Sequence, residues 1–275
     1  MKIAGRIISY AILVLIGLIG MAPFAYLLIL SFKARIDILE VPPSLDFSWA
    51  QIKENYDIVI NEKRYPTFVK NSIIITGVST FFALVLGVPA GYAFSRLRFR
   101  GSDTWASTIL SFRFMPPIAV AIPIYQMIRS LGLTDSRIGL ILPYVAFSLP
   151  LVIWIMIGFF DEIPTEIDEA AMMDGLTRPQ VLFKVLLPLA RPGMIVAATF
   201  GLIFVWNEFL IGLYIINSPD KETIPIAAAA LLTVESPIEW NIAAAVGVLT
   251  VIPVLVFTIV VQRYIVRGIT AGAVR

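Results

Sequence analysis

Few residues of this chain could do chemistry, and their types rule out more than they allow. Its 275 residues include no Cys and no His, which excludes thiol catalysis, Ser-His and Cys-His nucleophile pairs, His-ligated haem and the usual structural zinc sites. What remains lies in two places. Arg113 and Glu208 are charges inside long apolar stretches. An ionisable group at a bilayer centre costs about 2.5–3.5 kcal/mol on insertion scales and therefore tends to face a cavity or a partner. Trp206 and Asn207 immediately precede Glu208, and an aromatic face beside polar groups suits sugar hydroxyls. Arg113, Trp206, Asn207 and Glu208 are therefore the candidates for lining a translocation pathway. Tyr125, Tyr144 and Trp154 read as packing or membrane-interface residues. A single intramembrane carboxylate offers no acid and base pair, so an intramembrane enzyme is disfavoured. The second place is the stretch 161–192, which carries six acidic and three basic residues in an otherwise apolar half of the chain.

The elements that must position these groups follow from composition. Hydrophobic residues make up 59% of the chain and charged residues 15%, with a mean hydropathy of +0.89. A single soluble core is excluded, since soluble domains carry about 25% charged residues. Hydropathy places six spans at 7–32, 68–94, 105–128, 138–160, 193–216 and 242–266, each long enough to cross about 30 Å of hydrocarbon as a helix. The fold class expected is an all-α membrane protein, one transmembrane domain over 1–275. The first span is too long for a signal-peptide core and no small-residue cleavage site follows it, so it reads as a retained helix. The apolar run 224–232 is too short to span. Six spans put both termini on one side, and 11 Lys and Arg on that side against nine on the other favour a cytoplasmic location for both. Basic and acidic residues number 21 and 19, which leaves no nucleic-acid footprint. Pro89, Pro116, Pro117, Pro123, Pro143, Pro150 and Pro253 fall within spans, where each frees a carbonyl that a neighbour or a cavity must satisfy.

The stretch 161–192 reads as two short helices. Pro164 suits a first helical turn, and acidic residues crowd the N-terminal half, where the helix dipole favours them. Ile167, Ala170 and Ala171 are expected on one face, with Gly175 as a stop in positive φ. Thr177 and Gln180 match a capping box for the second helix, which Pro188 is expected to end. The product is a helical hairpin with an acidic, small-residue surface suited to docking.

Glu169-Ala170-Ala171, Asp174-Gly175 and Val185-Leu186-Leu187-Pro188 resemble the EAA loop of permease subunits of binding-protein-dependent ABC importers, with Val185 in place of the usual Ile. Asn71-Ser72, Phe204-Val205-Trp206-Asn207-Glu208-Phe209, Thr223-Ile224-Pro225 and the tail from Val266 to Val274 are similar to the carbohydrate-importer branch, in particular the six-span subunit of the maltose-permease type. The resemblance implies that Glu169, Ala170, Ala171, Asp174, Gly175, Leu187 and Pro188 couple to an ATPase, and that the tail residues Thr270, Ala271, Gly272 and Ala273 contact it. Arg275 stands where that branch usually ends in Lys-Gly. Implied partners are a second, different permease subunit, two ATP-binding subunits and an extracytoplasmic solute-binding protein, in a bacterial inner membrane. The chain has no G-x-x-x-x-G-K-[ST] loop, so ATP and Mg²⁺ are expected on the partner ATPase and no cofactor on this chain. The rival reading is an ion-coupled secondary transporter, which needs acidic residues near the midplane; only Glu208 qualifies.

Overall fold

The computed structural model describes residues 2–39, 46–97, 99–231 and 239–272, with side chains described between 6 and 259. These residues are almost entirely helical. In chain order the helices are α1 (Lys2–Ser31), α2 (Trp49–Asp57), α3 (Tyr65–Tyr92), α4 (Ser102–Ser111), α5 (Pro117–Ser130), α6 (Arg137–Asp161), α7 (Thr165–Met173), α8 (Arg178–Val181), α9 (Leu187–Leu189), α10 (Arg191–Trp206), α11 (Leu210–Ile215), α12 (Ile224–Ala230) and α13 (Trp240–Gly272). Wide π turns extend α2 over Ile58–Glu62 and α3 over Ala93–Leu97, and another joins α8 to α9 over Leu182–Leu186.

Among the described residues four helical stretches are long and apolar enough to cross a membrane: Arg6–Ser31, Tyr65–Leu97, Arg137–Asp161 and Trp240–Ile259. Two bent pairs, Ser102–Phe114 with Pro117–Ser130 at 97° and Arg178–Leu189 with Arg191–Trp206 at 80°, bring the number to six if each pair is one span. The continuous third span expected from hydropathy, 105–128, is thus corrected, whereas the 80° bend falls just before the expected fifth span, 193–216. The third breaks at Met115 and Pro116, whose ψ angles are 129° and 125°. Each precedes a proline, and the following ring forces its neighbour out of the helical region. Pro117 then opens α5, where its missing N–H costs nothing. The stretch 193–216 is not one helix either, since α10 ends at Trp206 and α11 begins at Leu210. Pro23, Pro89, Pro143, Pro150 and Pro253 stay inside continuous helices.

The chain divides into two compact units, one of residues 1–66 and 227–254, the other of 67–226 and 255–275. In the first, α1 exposes apolar side chains all along its length, from Ile7 to Tyr26. Its C-terminal end is tied down by Asn55 of α2, which is fully buried. Asn55 Nδ2 donates to the carbonyls of Ser31 and Lys33, both at 2.9 Å, while its Oδ1 accepts from Gln51 Nε2 at 3.1 Å and Asn241 Nδ2 at 2.9 Å. One amide therefore joins the ends of α1, α2 and α13.

The second unit is built around α6. Met156 and Phe160 of α6 are buried with Val88 and Tyr92 of α3, Ala171 of α7, Leu182 and Leu186 of the π turn and Ala197 of α10. The approach of α3 to α6 is close enough that a Cβ on Gly91 would sit 2.7 Å from Met156 Cβ and 3.2 Å from the Ile153 carbonyl. A second cluster joins Tyr144 of α6 to Ala121 and Ile128 of α5, Ile75 of α3 and Ile211 and Ile215 of α11.

Replacing Asn55 with Ala should cost about 2–3 kcal/mol, since two buried carbonyls and a buried amide lose their partner. Thermal unfolding of the purified protein should show this as a lower melting temperature. Thr and Gln at position 55 should not restore it, because neither offers two donors and an acceptor at that reach.

Candidate functional site: a helical hairpin, an intramembrane cap and a polar latch

The hairpin forms around Gly175, which has φ +87°. Its N–H donates to the Met172 carbonyl at 3.0 Å and the Leu176 N–H to the Ala171 carbonyl at 3.1 Å. These bonds close α7 as a Schellman motif, which needs a left-handed residue at that point. The second arm starts where Gln180 Oε1 accepts from the Thr177 N–H at 2.8 Å. Pro188 does not end this arm, as had been expected: helix continues to Leu189. Pro188 has no N–H for the Lys184 carbonyl, and the Leu187 N–H reaches back to the Leu182 carbonyl, so the backbone widens into a π turn instead of stopping.

The faces of α7 differ from expectation. Asp168 and Ala171 are buried and Ile167 is half-buried, whereas Glu169, Ala170, Asp174 and Gly175 are exposed. Ala170 therefore parts from Ile167 and Ala171. Leu187 is half-buried and Pro188 exposed. Asp168 is inward because it meets Arg96, with Nε to Oδ2 2.8 Å and side-chain exposures of 7% and 10%. Arg96 Nη2 also donates to the Ile163 carbonyl at 2.6 Å, and Ser95 Oγ donates to Asp161 Oδ1 at 2.5 Å. Removing one partner of such a buried pair typically costs ~3–5 kcal/mol. Sequence reasoning did not find this pair, whose members lie on separate helical segments far apart in sequence.

The intramembrane candidates separate into two groups. Arg113 and Glu208 line one cavity of about 150 Å³ together with Met115, Pro117, Phe147, Phe204 and Ile211. Arg113 stacks its guanidinium on Phe204, 4.2 Å from the ring centre. Glu208 is occupied: Oε2 accepts from the Tyr144 hydroxyl at 2.6 Å and from the Gly212 N–H at 3.3 Å, and Oε1 accepts from the Ile211 N–H at 2.9 Å. It caps the free amides that open α11, where a negative charge also meets the positive end of the helix dipole. Tyr144, read from sequence as packing, is almost completely buried and is the cap's third donor. Trp206 and Asn207 do not line this cavity. Asn207 Nδ2 donates to the Ile203 carbonyl at 2.7 Å, closing its own helix, and Trp206 Nε1 is buried without a hydrogen-bond partner. In the tail, Thr270, Ala271 and Gly272 continue α13, with their side chains, and Ala273 as a whole, outside the described residues.

At the opposite ends of α3 and α6 lies a polar latch that sequence reasoning also missed. Asp135 has φ 53°, a left-handed value that Asp tolerates better than most side chains. Its Oδ1 accepts from the amides of Asn217 and Ser218 at 3.1 and 2.9 Å, and its Oδ2 from Ser218 Oγ and Lys221 Nζ, both at 2.6 Å. Lys221 above all, then Ser218, hold this carboxyl well below the usual carboxylate range. Nearby, Asn71 is fully buried: Arg137 Nη2 donates to its Oδ1 at 2.8 Å, and its Nδ2 donates to the carbonyls of Asp220 and Glu222, both at 2.9 Å. Ser72 Oγ accepts from the Ile224 N–H at 2.9 Å. Two of the motif pieces, Asn71-Ser72 and Thr223-Ile224-Pro225, thus meet in space.

The described residues thus form a core of long apolar and bent helices with a hairpin packed against it. Residues 83–271 match the family described as "Binding-protein-dependent transport system inner membrane component", and the chain belongs to it. It is 36% identical over 262 residues to the trehalose transport system permease protein SugB of Mycobacterium tuberculosis, covering 93% of each chain. It is 31% identical over 276 residues to the trehalose/maltose transport system permease protein MalG of Thermococcus litoralis, covering 100% of this chain and 98% of that one. Among solved structures it resembles a chain of a bacterial ABC transporter involved in the import of the polysaccharide alginate, with a TM-score of 0.79, 25% identity and 96% of both chains covered. The chain is a multi-pass ABC importer permease of MetI-like fold. Membership displaces the secondary-transporter reading, whose one candidate ion-coupling group, Glu208, is bonded by three donors.

Replacing Asp135 with Ala should remove an acceptor shared by two amides and Lys221, at a cost of about 1 kcal/mol because the group is partly exposed. A depressed folded-state pKa stabilises above the unfolded value and fades as pH falls toward the folded one. The gap in melting temperature between the natural protein and the variant should therefore be flat from about pH 8 to pH 5 and narrow only below about pH 4.

Proposed function

We propose that this chain is the six-span permease subunit of an importer for a sugar or related polyol, acting as one transmembrane domain with both termini in the cytoplasm. It works beside a second, different permease subunit, two ATP-binding subunits that carry ATP and Mg²⁺, and an extracytoplasmic solute-binding protein. The hairpin 161–192 is the dock for the ATPase, and the tail residues Thr270, Ala271, Gly272 and Ala273 are a second contact. The single observation that carries the coupling reading is the division of α7: Asp168 and Ala171 fasten it to the core of its own unit, while Glu169, Ala170 and Asp174 stay exposed. A surface held rigidly from behind and left open in front suits the transfer of force from a partner. The sugar class is supported by the named solutes of the relatives, trehalose and maltose.

In this reading the cavity that Arg113 and Glu208 line belongs to the pathway wall, and Glu208 acts there chiefly by holding the break between α10 and α11 open. Trp206 and Asn207 border the same break. Closure of the ATP-binding subunits would draw the hairpins together and shift the broken helices, exposing the pathway to one side and then the other.

The purified chain should hydrolyse no ATP, and uptake into vesicles should need the separate ATPase; uptake driven by an ion gradient alone would contradict this. Glu169→Lys should weaken copurification with the ATPase and lower uptake, whereas Glu54→Lys, also exposed but far along the chain, should do neither. Gly175→Val should lower uptake too, since a left-handed geometry costs a non-Gly residue about 1–2 kcal/mol. Reporter fusions at residues 169 and 275 should read cytoplasm and one at residue 46 the outside.

A further inference from the structure

We infer that Arg96 is the positioning residue through which displacement of the hairpin reaches α3, and that α3 carries it to the latch at residues 216–224. The inference rests on the coupling reading given above. One guanidinium holds both the entry to the hairpin, at the Ile163 carbonyl, and its first helix, at Asp168. Ser95 beside it holds the last residue of α6, Asp161. Three consecutive pieces of chain, the end of α6, the turn and α7, are therefore fastened to one π turn at the end of α3.

The other end of the same helix is fastened just as specifically. Asn71 and Ser72 bond the backbone of Asp220, Glu222 and Ile224. Between Asn71 and Arg96 the chain is continuously helical, a rod of roughly 35–40 Å at 1.5 Å per residue. A helix is stiff along its axis, so a displacement applied at Arg96 arrives at Asn71. Apolar packing alone would let α7 slide on the core, because such contacts are non-directional. The charge-assisted bond from Arg96 Nη2 to the Ile163 carbonyl is directional and resists sliding, and the close, buried contact of opposite charges between Arg96 and Asp168 adds attraction at the same point.

The natural chain has no Cys, so Asp220→Cys offers a single thiol on the latch loop. In the assembled transporter, its labelling rate with fluorescein maleimide is measured without nucleotide and after trapping with Mg-ATP and vanadate. With Arg96 intact the rate should change by roughly 5-fold or more, a typical coupling between distant sites. Arg96→Gln alone strands a buried charge, so the deciding variant is Arg96→Gln with Asp168→Asn, which leaves none. It should copurify with the ATPase at the natural ratio yet lose the nucleotide response, and Arg96→Lys should keep most of it. A full response in the double variant would overturn the inference while leaving the coupling reading intact. Loss of copurification in the double variant would also overturn it, showing the pair to be a folding staple of the dock. No response in the chain that retains Arg96 would overturn the coupling reading, and this inference with it.

Discussion

A helix broken inside a bilayer leaves amide groups that no water can reach, and each must find a partner within the protein. Glu208 meets that constraint where α10 gives way to α11. Its carboxylate takes two opening amides of α11 and the Tyr144 hydroxyl together. The same residue lines the cavity beside Phe204 and Arg113. The cost of placing a charge there is offset by three hydrogen bonds and the dipole of the helix it caps. The break is thus satisfied by one carboxylate, beside apolar packing of α11 on α5.

The same constraint shapes the rest of the second unit. Where α3 and the hairpin depart from regular helix they do so by π turns, which keep backbone groups paired while changing the direction of side chains. Such a turn at the end of α3 is what brings Ser95 and Arg96 to the hairpin. At the other end, polar groups of Asn71, Asp135 and Arg137 take up the irregular backbone of 216–224. The side-chain bonds between elements therefore gather at the two ends, while the middle packs apolar residues around small buried hydroxyls such as Ser79, Thr80 and Ser148.

Much of this was legible in the residues and some was not, for physical reasons. Long apolar runs fix where a bilayer can be crossed, so four of the spans fall within a few residues of the helices observed. Local capping chemistry was equally readable, since Gly175 and the Thr177–Gln180 pair act on their own backbone. Pro116 and Pro117 stood out within an expected continuous span, but that they divide it with a 97° bend depends on packing. Arg96–Asp168, Tyr144–Glu208 and Asn71–Asp220 were invisible because each joins residues more than 60 positions apart. Periodicity placed Ala170 on the inner face; the buried ion pair turned Asp168 inward instead.

In the proposed function, the energy of ATP enters this chain at the exposed side of α7. The most direct measurement is photocrosslinking from benzoylphenylalanine placed at Ala170, in the assembled transporter in membranes. An adduct with the ATP-binding subunit is expected, its yield changing between nucleotide-free and ATP-trapped states. An adduct only with lipid or with the companion permease would contradict it.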